Sequence, residues 1–202
     1  VITKASKMTD IAPYMQDPKI VQNIKDFEAY CKTEDASAQT GSPTLFESYL
    51  SRYADKVGDI INTFIPAGSH PDMDKYLYAP LMKYSQNGGK RHRPLICVAA
   101  CAAVGGDIRR AFSAAAAIEH FHTAALIHDD IADEASLRRG EPCMHLTQGE
   151  GLAINAGDLA LSLVTGTVLV DDSLSDAVKL RVLKELVDMT TRTIEGQALD
   201  IG

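Results

Sequence analysis

A chain of 202 residues with 27 acidic and 20 basic side chains carries a formal net charge of −7, which excludes general nucleic-acid binding. Its 46% apolar and 23% charged residues exclude disorder throughout and leave room for one domain with a real core, or at most two small ones. No uninterrupted apolar run reaches a membrane span and no signal-peptide order opens the chain, so no membrane span is expected and the cytoplasm is the expected compartment.

Cys31, Cys97, Cys101 and Cys143 form no CxxC motif. They read as small apolar residues in a reducing compartment rather than as a disulfide or metal framework. Residues 1–41 form a polar leader. Asp26 to Tyr30 suits a short amphipathic helix, and the stretch after it suits a linker.

Ser42-Pro43 opens the first strong helical signal, with Ser42 as N-cap and Pro43 at the first helical position. Leu45, Phe46, Tyr49, Leu50, Tyr53, Val57 and Ile60 follow at helical spacing until Ile65-Pro66-Ala67-Gly68 stops them. A second helix is predicted from Met73 to Tyr84, ended by Asn87-Gly88-Gly89 in a left-handed cap. In Gly88-Gly89-Lys90-Arg91-His92-Arg93-Pro94, two glycines free the backbone and three cations follow. Pro94 is expected to start a helix over Leu95 to Val104; Lys90 and Arg93, three apart, can both face one anion, although on these residues alone a solvated basic turn is the favoured reading. A phosphate-binding P-loop is excluded, because the preceding strand, the glycine spacing and the Ser/Thr after the lysine are missing.

Gly105-Gly106 then separates that helix from a long one, Asp107 to about Asp133. Ala114 to Ala117 lets another helix approach closely, and His120, His122 and His128 are its polar candidates. The helix runs into Asp129, Asp130 and Asp133, followed by Arg138 and Arg139. Carboxylates at i and i+4 lie about 6 Å apart along the axis on one face and call for a cation between them. Hard oxygen ligands of this kind suit Mg²⁺, and guanidinium forks suit phosphate oxygens, so the pattern predicts a magnesium–diphosphate site. His122, almost two turns before Asp129, lies on roughly the same face and suits a second substrate.

A loop over Arg139-Gly140-Glu141-Pro142 leads to an apolar helix interrupted by Asp158, which is expected to be buried and to find a structural hydrogen-bonding partner. Asp171, Asp172 and Asp176 resemble another aspartate cluster, but their spacing and the helix that follows assign them to capping. The last helix runs from Asp176 to about Leu199, with Val178, Leu180, Val182, Leu183, Leu186, Val187 and Met189 on its apolar side. No segment alternates with period two, so the prediction is an all-α bundle.

Three separated motifs carry a family resemblance. GGKRHRP at Gly88 to Pro94, HDDIADEASLRRG at His128 to Gly140 and GQALD at Gly196 to Asp200 together resemble the trans-type isoprenyl diphosphate synthase (polyprenyl synthetase) family. AINAGDLAL at Ala153 to Leu161 is also similar. The resemblance implies an all-α helical bundle of the isoprenoid synthase type, truncated at its C-terminal side, with 42–202 as the N-terminal part of a prenyltransferase domain. It implies condensation of an allylic diphosphate with isopentenyl diphosphate, Mg²⁺ as cofactor, and a homodimer in the intact enzyme.

By motif, Asp129, Asp133 and, less directly, Asp130 resemble the metal site. Arg138 resembles the allylic-diphosphate contact, while Lys90, Arg93, His122 and Arg139 resemble the isopentenyl diphosphate pocket. Gln197 and Asp200 match the motif near the metal. Ala124 and Ala125 are too small to block a product tunnel that Phe121 would floor. No two-residue insertion separates Asp130 from Asp133. Together these favour a product of about twenty carbons or more, limited by the depth of the lined pocket.

The family's second aspartate-rich motif is expected beyond Gly202, so the chain as it stands is expected to be inactive. A non-catalytic partner subunit and a class I terpene cyclase are the alternatives. The isopentenyl-type residues Lys90, Arg93 and His122 speak against the cyclase.

Overall fold

The computed structural model describes residues 54–202, together with Pro18, Gln22 and Lys25. The leader, the linker and the expected helix start at Ser42-Pro43 lie outside this span, those three residues apart. Helix α1 is described over 54–62 and buries Val57, Ile60 and Ile61.

Helix α2 is continuous but not uniform. It comprises Pro71–Met73, a π-helical turn Asp74–Tyr78 and Ala79–Gln86. Pro80 explains the π turn, since a proline ring inside an α-helix collides with the carbonyl four residues earlier and supplies no N–H. Widening the preceding turn removes that conflict. The helix closes as expected: Asn87 N–H bonds to Lys83 O and Tyr84 O, and Gly88 and Gly89 take φ of 65° and 110°.

Helix α3 spans His92–Ala103, so it starts two residues before the expected Pro94. Its N-cap is Arg91, at φ 49°. Pro94 still falls in the first turn, where a missing N–H costs nothing. A 3₁₀ turn over Ile108–Ala111, capped by Asp107 through Arg109 N–H, leads into α4, Phe112–Ala132.

Next comes a feature with no sequence signal, a hairpin of two-residue strands. β1 (Leu137–Arg138) pairs antiparallel with β2 (Glu141–Pro142), Arg138 opposite Glu141. The turn residues Arg139 and Gly140 have φ of 54° and 83°, the pair of positive values that a type I′ turn needs. Strands this short leave no alternation to read. Helices α5 (Met144–Gln148), α6 (Glu150–Leu169) and α7 (Asp176–Ile201) complete the chain.

Three apolar clusters share α4. One joins it to α1 and α3 through Ile61, Leu95, Val98 and Ala116. A second joins it to α2 and α6 through Leu81, Ala124, Ile127, Ala156 and Ala160. The third joins it to α6 and α7 through Phe121, Val164, Val168 and Leu186. The alanines on facing surfaces bring α4 and α6 close. Gly157 belongs to the same close approach, since an added Cβ there would collide with the His128 ring. Helix α6 is long and apolar enough to cross a membrane by composition alone, yet it buries Ala153, Ala156, Ala160 and Leu163 in the bundle core.

Two expectations change. Asp158 is exposed rather than buried, with His128 Nε2 3.6 Å away, because it lies on the face of α6 turned away from the core. On α7, Val178, Val182, Leu183, Leu186 and Met189 pack inward, but Leu180 and Val187 are exposed. The Asp171 cluster is a turn: Asp171 accepts hydrogen bonds from Ser173 N–H and Oγ at 2.9 and 2.6 Å.

Candidate active site

The last turn of α4 carries Asp129, half-buried, with the exposed Asp133 as the helix's C-cap. Asp133 N–H donates to Asp129 O at 2.8 Å, closing the turn. This is the negative end of a helix dipole, so two acids there need a counter-charge. Gln197 reaches across from α7, its Nε2 donating to Asp129 Oδ1 at 3.0 Å. Asp200 follows one turn later on α7 and is exposed.

Asp130, about 100° further round the helix, turns inward. It is fully buried, and its Oδ1 accepts from Arg138 Nε at 2.7 Å while Arg138 Nη2 lies 2.5 Å from the same oxygen. Its Oδ2 accepts from the Tyr84 hydroxyl at 3.0 Å. Burial, reinforced by the Asp130 charge, pushes the Tyr84 hydroxyl far above its usual range, so it stays a donor. The hydrogen bond to Asp130 likewise raises the Arg138 pKa. Arg138 then stretches to Asp129, with Nη2 3.6 Å from Oδ2. The two adjacent aspartates therefore differ: Asp129 is open, and Asp130 is a buttress for Arg138.

The second cationic group lies on the other side of the hairpin. Arg139 Nη1 donates to Asn87 O at 3.1 Å and Gly88 O at 2.8 Å. Its guanidinium covers Gly89, where an added Cβ would lie 3.0 Å away. Arg93 Nη1 is 3.3 Å from His122 Nε2. Burial first, then the Arg93 and Arg139 charges, hold His122 below its ordinary pKa, so the neutral ring can accept from Arg93. Lys90 is exposed on the segment between Gly89 and Arg91.

The pocket-wall candidates differ in setting. Phe121 is buried among Val164, Val168, Leu174 and Leu186. Ala124 is sealed against α2 and α6, and Ala125 is half-buried.

Sequence reasoning missed Tyr84 and a buried ion pair, Arg91 Nη1 to Glu119 Oε1 at 2.5 Å. The one legible sign was Glu119 itself, an acid among the apolar residues of α4.

Among the described residues, no three His, Cys, Asp or Glu side chains converge into a closed metal cage. Asp129 and Asp133 at a helix C-terminus nonetheless suit Mg²⁺, which keeps most of its waters and shares its remaining ligands with substrate phosphates.

Residues 74–202 match the family model described as polyprenyl synthetase. The chain belongs to the polyprenyl synthetase family. It is 40% identical over 163 residues to the chloroplastic geranylgeranyl pyrophosphate synthase 12 of Arabidopsis thaliana, covering 77% of this chain and 44% of that protein. The fold of this polyprenyl synthetase chain matches geranylgeranyl pyrophosphate synthetase from Pyrococcus horikoshii with a TM-score of 0.69 at 36% identity, over 77% of this chain and 47% of that one. A geranyltransferase from Helicobacter pylori, solved with magnesium and isoprenyl diphosphate, matches with a TM-score of 0.57 at 27% identity, over 72% and 49% of the two chains. This chain spans less than half the length of these relatives.

Proposed function

We propose that the protein is a prenyltransferase that joins an allylic diphosphate to isopentenyl diphosphate and releases pyrophosphate. One observation carries this reading: adjacent arginines on a type I′ turn serve two separate groups, Arg138 beside Asp129 and Asp130, and Arg139 on the Asn87 and Gly88 carbonyls of the glycine loop that leads to Lys90 and the Arg93–His122 pair. A single-substrate cyclase has no use for the second group. Relatives carrying prenyl synthase names support it.

In this reading Asp129 and Asp133 hold magnesium on the allylic side, and Gln197 orients Asp129. Bound there, the ion would neutralise charge building on the departing diphosphate. Arg138, fixed by Asp130, adds a pre-aimed donor to the same oxygens. Lys90, Arg93, His122 and Arg139 bind the isopentenyl diphosphate so that its double bond faces the allylic carbon. The C–O bond of the allylic substrate breaks, the isopentenyl double bond supplies the electrons for the new C–C bond, and the proton lost leaves with pyrophosphate. Phe121 limits the pocket and favours a product of about twenty carbons or more. Homodimeric assembly belongs to the same reading.

Calorimetric titration tests it. Geranyl diphosphate should bind only with Mg²⁺ present, and Asp129→Ala or Asp133→Ala should abolish that magnesium-assisted binding. Isopentenyl diphosphate should bind separately and weaken on Arg93→Ala. Magnesium-independent binding of both ligands at one shared site would refute the two-site reading.

A further inference from the structure

Arg91 stands apart from its neighbours. Lys90 and Arg93 are exposed, whereas Arg91 between them is buried. Its backbone is left-handed at φ 49°, an unfavourable setting for a side chain with a Cβ, and it persists only where the surroundings over-determine it. Three elements do so. Glu119 of α4 pairs with Nη1 at 2.5 Å, the Ser85 carbonyl of α2 accepts from Nη2, and Gly58 of α1 leaves room for the guanidinium. Ser85 is itself tied to α1, its hydroxyl donating to Asn62 Oδ1 at 2.7 Å.

The spacing gives this anchor a consequence. Glu119 and His122 lie one turn apart on α4 and therefore on the same face. Arg91 and Arg93, two residues apart, dock on them in parallel. Seating Arg91, the N-cap of α3, on Glu119 thus fixes where the first turn of α3 begins and how Arg93 on that turn meets His122. Glu119 also compensates a crowd of like charges, since Arg91, Arg93 and Arg139 all act on His122. Buried as it is, Arg91 cannot touch a substrate.

We propose that Arg91, held by Glu119 and the Ser85 carbonyl, is the positioning residue of the isopentenyl diphosphate pocket, setting the directions of Lys90 and Arg93. This rests on the two-site reading above.

The test is calorimetry on the whole chain with isopentenyl diphosphate, and with geranyl diphosphate plus Mg²⁺ as the internal control. Arg91→Lys loses the fork to two acceptors, and Glu119→Gln removes the charge while keeping the shape. Each should raise the Kd for isopentenyl diphosphate about tenfold, the scale of one charge-assisted contact, and leave geranyl diphosphate within about twofold. Adding Glu119→Gln to Arg93→Ala should cost little more than Arg93→Ala alone, because both act through one contact. Gly58→Ala, whose Cβ would lie 3.2 Å from Arg91 Nε, is a milder variant that carries the test if the others fail to fold. Equal weakening of both ligands, or an unchanged isopentenyl diphosphate Kd where Arg93→Ala weakens it, overturns the proposal. If Arg93→Ala has no effect, the pocket assignment fails and the proposal falls with it.

Discussion

Asp129 and Asp130 are adjacent acids in one motif, yet replacing them should produce different failures. Asp130→Ala leaves the Arg138 guanidinium without its 2.7 and 2.5 Å contacts and orphans the Tyr84 hydroxyl. Removing one partner of a buried ion pair costs about 3–5 kcal/mol. The Arg138 side chain is 30% exposed, so water recovers part of that loss, and we take about 3 kcal/mol. At roughly 2–4 °C per kcal/mol for a chain of this size, the melting temperature should fall by about 6–12 °C. Asp129 is 33% exposed and gives up only Gln197 at 3.0 Å and Arg138 at 3.6 Å, so Asp129→Ala should stay within about 1 kcal/mol of the parent. Circular dichroism against temperature, paired with magnesium-dependent geranyl diphosphate binding, separates the two roles. Equal destabilisation by the two substitutions, or a loss under about 0.5 kcal/mol for Asp130→Ala, would refute this division.

Two further outcomes follow from buried groups of α4. His120 is buried with no partner for Nε2 among the described residues, and burial pulls its pKa down to about 4. The unfolded chain takes up this proton near pH 6.5 while the folded chain does not, so stability is full above about pH 6.5 and falls by roughly 3 kcal/mol toward pH 4. Urea unfolding across that range should show the loss, and His120→Leu should flatten it; an unchanged slope in the variant would rule out this origin. Phe121→Ala empties a site packed by Val164, Val168, Leu174 and Leu186 and should cost about 3–5 kcal/mol. In a turnover-competent enzyme carrying this segment it should also shift products to longer chains on chromatography, and an unchanged profile would remove Phe121 from the tunnel.

Legibility tracked how local each signal is. The long helices read directly from periodicity and glycine punctuation, because their causes lie within a few residues of each position. Where a distant partner decides, the local pattern does not carry the answer. Pro94 suggested a helix start, but the anchoring of Arg91 by Glu119 from another helix moves it two residues earlier. The hairpin depends on positive φ at Arg139 and Gly140, and a non-glycine residue at the first position hides that turn. Asp158 interrupts an apolar helix, a pattern that implies burial only where every face is covered, and the face it occupies is open. Asp130 shows the limit most clearly, since its spacing matches a ligand array while its burial belongs to Tyr84 and Arg138.

The end of α2 ties the two groups together. Its terminal carbonyls lack helical donors and need partners. Arg91 takes Ser85 O, and Arg139 takes Asn87 O and Gly88 O, each bringing positive charge to the negative end of the dipole. One turn earlier, the Tyr84 hydroxyl fixes Asp130 and through it Arg138. Three arginines are thus aimed by one helix end: one toward the aspartates, one over the glycine loop, one into the core beneath it. The π turn ahead of Pro80 sets the phase of that end relative to the rest of α2. A change that rotates this last turn must therefore disturb both groups together, whereas loss of the Arg91–Glu119 pair disturbs only the one it faces.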